Sequence, residues 1–340
     1  MTSYSSDAGN TRQPRIVVIG GGTGVFTALS GLRKYPVDLT AIVSMADDGG
    51  SSGVLREEFG ILPPGDVRRA LVALSRADNA TLSQLFNYRF EEGGLNGHSF
   101  GNIMLAALDR ITGSFESAVE HAAQILGVRG AVLPVTLENI RLYAELEDGA
   151  VIKGESNIDI PKHDGNIKII RAWLEPESSI NMKARSAISN ADLVIIGPGD
   201  LYTSIIPNLL VKGVPEILRE TRAKKVYVVN IMTKWGETNG FTAGDFVHTV
   251  EHYLGSEVLD CVLVNTKQPS ETQLQEYAKE RSEFVTWSGI PSSLEVVSAD
   301  LIRRQQFLRH DPHRLAEIIM GLVDTTATRE IPRLLETEEA

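Results

Sequence analysis

The chain of 340 residues has a single cysteine, Cys261, so no intramolecular disulfide can form and a packed core must hold the fold. That cysteine sits in an apolar run at 258–264, which predicts a buried strand and fits a reducing cytoplasm. No stretch of about 18 consecutive apolar residues occurs, which excludes a membrane-spanning helix. Residues 1–13 are polar and lack the apolar region of a signal peptide, so a disordered tail is expected there. Basic runs are missing as well. With a net charge of −11, a sequence-independent hold on nucleic acid or on an anionic membrane is disfavoured. Aromatics make up only 6% of the chain, and linkers, repeats and low-complexity segments are absent. A single α/β domain at 14–323 is therefore expected, with a helical elaboration at 66–127 and a β-rich one at 130–175.

Glycine is abundant, and two glycine loops carry the most information. Gly20-Gly21-Gly22-Thr23-Gly24 follows the β-branched run 16–19 and precedes Phe26, Leu29 and Leu32, spaced three apart. That pattern places Gly21, Gly22, Thr23 and Gly24 at a strand-to-helix turn, where free N–H groups and a partial positive charge suit phosphate. The second loop, Asp47-Asp48-Gly49-Gly50-Ser51-Ser52-Gly53, follows the apolar run 39–43. Two parallel strands would bring both loops to the carboxyl edge of one sheet, where ligands of open α/β sheets bind. A dinucleotide fingerprint fits poorly, because Val25 or Thr27 falls where a small residue is needed. NAD(P)-dependent oxidoreduction is accordingly the last choice. Asp47 and Asp48 offer hard oxygen ligands for Mg²⁺ bridging phosphates. Asp47 alone suits a ribose hydroxyl, and an Asx turn before glycine is the plain structural alternative.

Further candidates lie at similar junctions. Ser51, Ser52 and Arg56 follow the second loop, and Gly65-Asp66-Val67-Arg68-Arg69 adds an acidic helix start with guanidiniums that pair with phosphate. Arg69 is expected on a solvated face. His98 and Asn102 could orient a ligand or supply a base, with Ser99 as a helix cap. Gly197, Gly199, Asp200, Thr203 and Ser204 follow a second buried strand at 191–196 in the same strand, loop and helix arrangement, with an amphipathic stretch expected over 204–219. Asn230, Thr233, Glu237 and Thr238 follow a third strand at 225–230, ahead of Asp245 and His248 on a helix over 242–254. Tyr277 on a helix at 271–281 and Arg309 before an Asp311 cap could stack on a base and neutralise a diphosphate, although a tyrosine in such a place is often half-buried. A hairpin is expected around Asp148-Gly149.

Five blocks recur together: Val18-Ile19-Gly20-Gly21-Gly22-Thr23-Gly24, 44–53, Gly65-Asp66-Val67-Arg68, Ser99-Phe100-Gly101-Asn102 and 196–204. In this order they resemble the gluconeogenesis factor (YvcK-like) family over residues 15–323. That family is related to the 2-phospho-L-lactate transferases (CofD-like) of deazaflavin coenzyme synthesis, which act on a guanosine-diphosphate-linked lactate with Mg²⁺. The transferases carry a tryptophan segment after the first acidic residue and a Ser-Pro-Asp-x-Asp element. This chain instead has Asp48-Gly49-Gly50-Ser51-Ser52-Gly53 and Leu62-Pro63-Pro64-Gly65-Asp66. The resemblance implies a Rossmann-like, mainly parallel α/β fold and a cytoplasmic regulator binding UDP-sugars such as UDP-N-acetylglucosamine, with a role in cell shape and cell wall synthesis on gluconeogenic carbon. No catalysed reaction is implied for this branch; a CofD-like transferase using Mg²⁺ is the alternative. The expected partners are a nucleotide sugar, further copies of the chain, and a Ser/Thr kinase acting on a flexible tail at 324–340.

Overall fold

The computed structural model of the protein describes residues 12–76, 80–303 and 308–324. The chain opens with β1 (Arg15–Gly20), α1 (Gly22–Leu32) and β2 (Asp38–Val43). Ile16, Val18 and Ile19 are fully buried, as strands covered on both faces require. α2 (Gly50–Phe59), α3 (Gly65–Leu74), α4 (Ala80–Asn87), α5 (Phe100–Thr112) and α6 (Phe115–Leu126) fill the helix-rich segment. β3 (Ala131–Pro134) pairs in parallel with β2, so the segment expected as a β-rich elaboration begins inside the main sheet. β4 (Arg141–Leu146), β5 (Val151–Lys153) and, beyond the short α7 (Glu155–Asp159), β6 (Ile169–Glu175) form a separate antiparallel sheet that includes the expected hairpin.

The second half runs through α8 (Met182–Ser189), β7 (Leu193–Ile196), a wide π-type turn at Leu201–Ile205, α9 (Ile206–Leu209), α10 (Val214–Glu220) and β8 (Lys224–Val228). The single amphipathic stretch expected over 204–219 is thus broken in two. Pro207 has no N–H to donate to the preceding turn, and Pro215 is at home only in the first turn of a helix, so a new one starts there. α11 (Ala243–Leu254), β9 (Cys261–Asn265), α12 (Glu271–Lys279), β10 (Glu295–Ala299) and α13 (Pro312–Asp324) complete the fold. Cys261 is fully buried, and Asp311 Oδ1 accepts from His313 N and Arg314 N to cap α13. β10 carries no apolar alternation and was not expected from the sequence. Of the two expected tails, residues 1–11 and 325–340 lie outside the described residues, while Arg12 pairs with Asp192 at 2.5 Å.

The seven-stranded sheet is entirely parallel, in the order β3-β2-β1-β7-β8-β9-β10. Strands are added outward in both directions from the β1–β7 pair, so this is where the order reverses. The loops leaving β1 and β7 pack side by side at this reversal, and it is beside such a switch point that open α/β sheets place their ligand crevice. Ile19 stands opposite Ile196, which brings both glycine loops out at one level. Gly24 fits only because it lacks a side chain: a Cβ there would stand 2.1 Å from the Pro198 carbonyl oxygen.

Candidate functional site

The crevice holds two connected chambers. One, of about 540 Å³, is polar and bounded by the loops after β1 and β2, the start of α3, and α7. The other, of about 310 Å³, lies beyond the end of β8 and is walled by Ile231, Met232, Leu308 and Tyr277. Thr23, Gly24, Gly199, Asp200 and Lys234 line both.

In the polar chamber the first N–H of α1 already faces an anion. Gly22, at φ +62°, donates its N–H to Asp66 Oδ1 at 2.9 Å. Burial pushes the Asp66 carboxyl up to about 6, against the pull of Arg69, whose Nη1 lies 3.2 Å away. The N–H groups of Thr23 and Gly24 have no acceptor among the described residues. On the second loop, Asp47 Oδ1 accepts from Gly49 N at 3.0 Å in the expected Asx turn and the residue lines the chamber. Asp48 turns away: its Oδ1 accepts from Ser156 N at 2.9 Å and Ser156 Oγ at 2.7 Å, tying α7 to this loop. Ser51 Oγ lies 3.1 Å from His98 Nδ1 and accepts from Asn102 Nδ2 at 3.1 Å. Asn102 Oδ1 in turn accepts from Arg68 Nε at 3.0 Å, and Ser99 caps α5. Burial, with Arg69 and Arg89 nearby, brings Arg68 down to about 10, so it stays charged at neutral pH.

Where the chambers meet, one ammonium is surrounded by carboxylates. Lys234 Nζ donates to Asp159 and, at 3.0 Å, to Asp200, and lies 3.4 Å from Glu237. Burial opposes its charge, but Glu237, Asp200 and Asp159 outweigh that and hold its pKa above the usual lysine value. Glu237 is itself buried and accepts from Tyr202 N at 3.0 Å and Thr203 Oγ1 at 3.2 Å. Across the polar chamber, burial and then Asp47, Asp159, Asp66 and Asp48 raise the Glu155 carboxyl to about 9. The polar chamber is thus framed by the loops that carry the five sequence blocks, whereas the second draws only on the first and last of them.

The profile of 2-phospho-L-lactate transferase CofD matches residues 16–303. The chain belongs to the CofD family. Within that family it groups with gluconeogenesis factors: it is 42% identical to the one from Bacillus subtilis over 320 residues, covering 92% of this chain and 99% of that one. The gluconeogenesis factor of Halalkalibacterium halodurans is 43% identical over 317 residues, covering 91% and 96%. A UPF0052-family protein from Bacillus halodurans has a crystal structure that matches with a TM-score of 0.86 at 42% identity, covering 91% of this chain and 99% of that one.

In this CofD-family chain the polar chamber gathers Gly21, Gly22, Thr23, Gly24, Asp47, Ser51, Ser52, Asp66, Arg68, Asn102, Gly199, Asp200, Thr203 and Ser204. The smaller chamber, with mixed polar and apolar walls, takes Asn230, Thr233, Tyr277 and Arg309. Four expected residues are not brought to the walls. Arg56 is buried and donates to the Ile140 carbonyl, clamping α2 to the approach of β4. Gly197 sits behind its loop against Ile205 and Val228. His98 reaches the chamber only through Ser51, and Asp48 is held by Ser156. Arg69, expected on a solvated face, instead lines the polar chamber beside Asp66. Sequence reasoning missed Lys234, Glu155, Arg89 and His310. None of them stands in a glycine-rich motif, so only the three-dimensional path of their loops reveals them. Among the described residues no helix is long and apolar enough to cross a membrane.

Proposed function

We propose that the protein binds a nucleotide sugar of the UDP-N-acetylglucosamine type and acts as a regulator reporting its supply. The observation that carries this reading is the joining of a chamber with mixed walls, Tyr277 and Leu308 among them, to a strongly polar one at the point where the strand order reverses. A base fits against Tyr277, Arg309 meets negative charge beside it, and the diphosphate lies along Thr23, Gly24 and Gly199 to Ser204. The sugar then reaches toward Asp47 and Asn102. Membership of the gluconeogenesis factor group supports a role in cell shape and cell wall synthesis on gluconeogenic carbon. A cytoplasmic location, self-association and a kinase acting on Thr325, Thr326 or Thr328 belong to the same proposal. Calorimetry with UDP-N-acetylglucosamine and Mg²⁺ tests it: binding without UMP release is expected, and no binding would sink it.

One observation favours a second reading, a transferase that cleaves a nucleoside-diphosphate linkage. Asp47 lines the polar chamber with a hard oxygen donor that suits Mg²⁺, and a cation there would neutralise diphosphate charge. Glu155 holds a proton at neutral pH beside the same chamber, as a general acid must. Release of UMP or GMP from the corresponding diphosphate substrates would establish this reading over the first.

A further inference from the structure

The crevice lies at the carboxyl edge of the main sheet. At the amino edge, where β1, β2 and β3 begin, a separate cavity of about 720 Å³ is open. β1 is six residues long, so roughly 20 Å of strand separates the two. Four of the eleven residues that line this second cavity are arginines, Arg12, Arg15, Arg33 and Arg129, and Asp38 is its one carboxylate. Such a surplus of cations runs against the charge of a chain that carries −11 overall.

The fold itself accounts for two of the four guanidiniums. Arg12 Nη2 donates to both oxygens of Asp192, at 2.5 and 2.8 Å, and Arg15 Nε lies 3.9 Å from the same carboxylate. Arg33 and Arg129 pair with no carboxylate among the described residues. Arg33 Nη1 donates to the Ser75 carbonyl at 2.6 Å, a bond that joins the ends of α1 and α3 but leaves the charge without a counterion. Burial lowers the Arg33 pKa, and no neighbouring carboxylate offsets that. Arg129 is exposed on a backbone held firmly in place. Its N–H donates to the Leu74 carbonyl at 3.1 Å, and the adjoining Gly130, at φ +105°, packs so closely that a Cβ would stand 2.1 Å from the Leu39 carbonyl oxygen. Water alone would satisfy an isolated exposed arginine. It does not explain why a second, partly buried guanidinium without a counterion borders the same cavity.

We propose that this cavity is a second ligand site, one that takes a phosphate monoester carried on a small hydroxylated molecule. Two guanidiniums without counterions match a group with two negative charges. A phosphate monoester carries about −1.5 to −2 at neutral pH, whereas a carboxylate carries only one charge. Guanidinium forks also suit the spread oxygens of phosphate. The cavity has room beyond a phosphate, so the carbon skeleton rests along Pro36 and Val37. Asp38 is exposed and its carboxylate has no partner among the described residues, so it accepts from ligand hydroxyls and repels a second anionic group. The site stands independently of the nucleotide-sugar reading of the crevice.

Amide chemical shifts of the full chain, followed by NMR during titration with glycerol 3-phosphate, test the proposal by position. Saturable shifts are expected at Val37 and Gly130. Arg129→Gln, a change at an exposed side chain, should weaken that binding about tenfold or more, as loss of a charged hydrogen bond does, while any response at Thr23 and Gly24 stays the same. Acetate, a monoanion, and inorganic phosphate, which has no hydroxylated skeleton, should each bind more weakly than glycerol 3-phosphate. The absence of saturable shifts at Val37 and Gly130 would overturn the proposal. So would unchanged affinity in Arg129→Gln, or acetate or inorganic phosphate binding as tightly as glycerol 3-phosphate. UDP-N-acetylglucosamine added to the same sample should shift Thr23 and Gly24, and failure of that arm alone would count against the crevice reading and not against this site.

Discussion

Gly22 and Lys234 illustrate two different ways in which single residues hold the cleft. Gly22 sits at φ +62°, and a Cβ there would stand 3.3 Å from Ser204 Oγ. Gly22→Val should therefore cost about 1–3 kcal/mol of stability and abolish nucleotide binding, because a β-branched side chain both strains the backbone and intrudes between the loops. Unchanged calorimetric affinity in a folded variant would remove this loop from the site. Lys234 acts through charge. Lys234→Met leaves the fully buried Glu237 side chain facing Asp200 and Asp159 with no cation, at a cost of about 3–5 kcal/mol. Urea denaturation checks this, and a loss below about 1 kcal/mol would show that the cluster relaxes freely. Asp47→Asn should weaken nucleotide binding more in Mg²⁺ than in chelator if the carboxylate helps to hold metal; equal losses in titration would point to a direct hydroxyl contact. The glycines and Asp47 were legible in the sequence because backbone conformation and turn chemistry are local. Lys234 was not, since nothing near it in the chain foretells that Asp159 and Asp200 will arrive from other loops.

At the scale of elements, α7 shows how a short helix connects the two sheets to the cleft. Asp48 holds its start through Ser156, and Glu155 beside that contact is raised to about 9. A carboxyl raised in the folded state contributes stability that is fully present below its unfolded value of about 4.5 and is lost as pH rises through about 9. Asp66 behaves likewise between about 3.8 and about 6. Above pH 7 the Glu155 contribution is still falling while that of Glu237, raised to about 7, is running out, so the melting temperature of the ligand-free protein should decline from pH 7 to 9, and Glu155→Gln should flatten most of that decline. An identical slope in the variant would contradict the assignment. The parallel strands and most helices could be read from apolar runs and caps such as Asp311. The broken helix after β7 could not, because periodicity records which face is buried and not where Pro207 forces the turn to widen. Similarly β10, largely exposed at the sheet edge, offers only Val296-Val297 between Glu295 and Ser298, too short a run to mark a strand.

For the whole molecule, deletion of residues 325–340 separates fold from regulation. Ligand affinity is expected to survive, whereas complementation of growth on gluconeogenic carbon should fail if the tail carries a phosphorylation switch. Full complementation would end that part of the proposal. The reversal of strand order between β1 and β7 has a consequence for folding itself. The two walls of the crevice come from halves of the chain far apart in sequence, so the cleft exists only once the most non-local pairing in the sheet has closed. A ligand lying across it staples the halves together and stabilises only the complete fold. Amide hydrogen exchange should then slow on binding in β1 and β7 alike, including positions many residues from any contact, as the two halves cease to open independently.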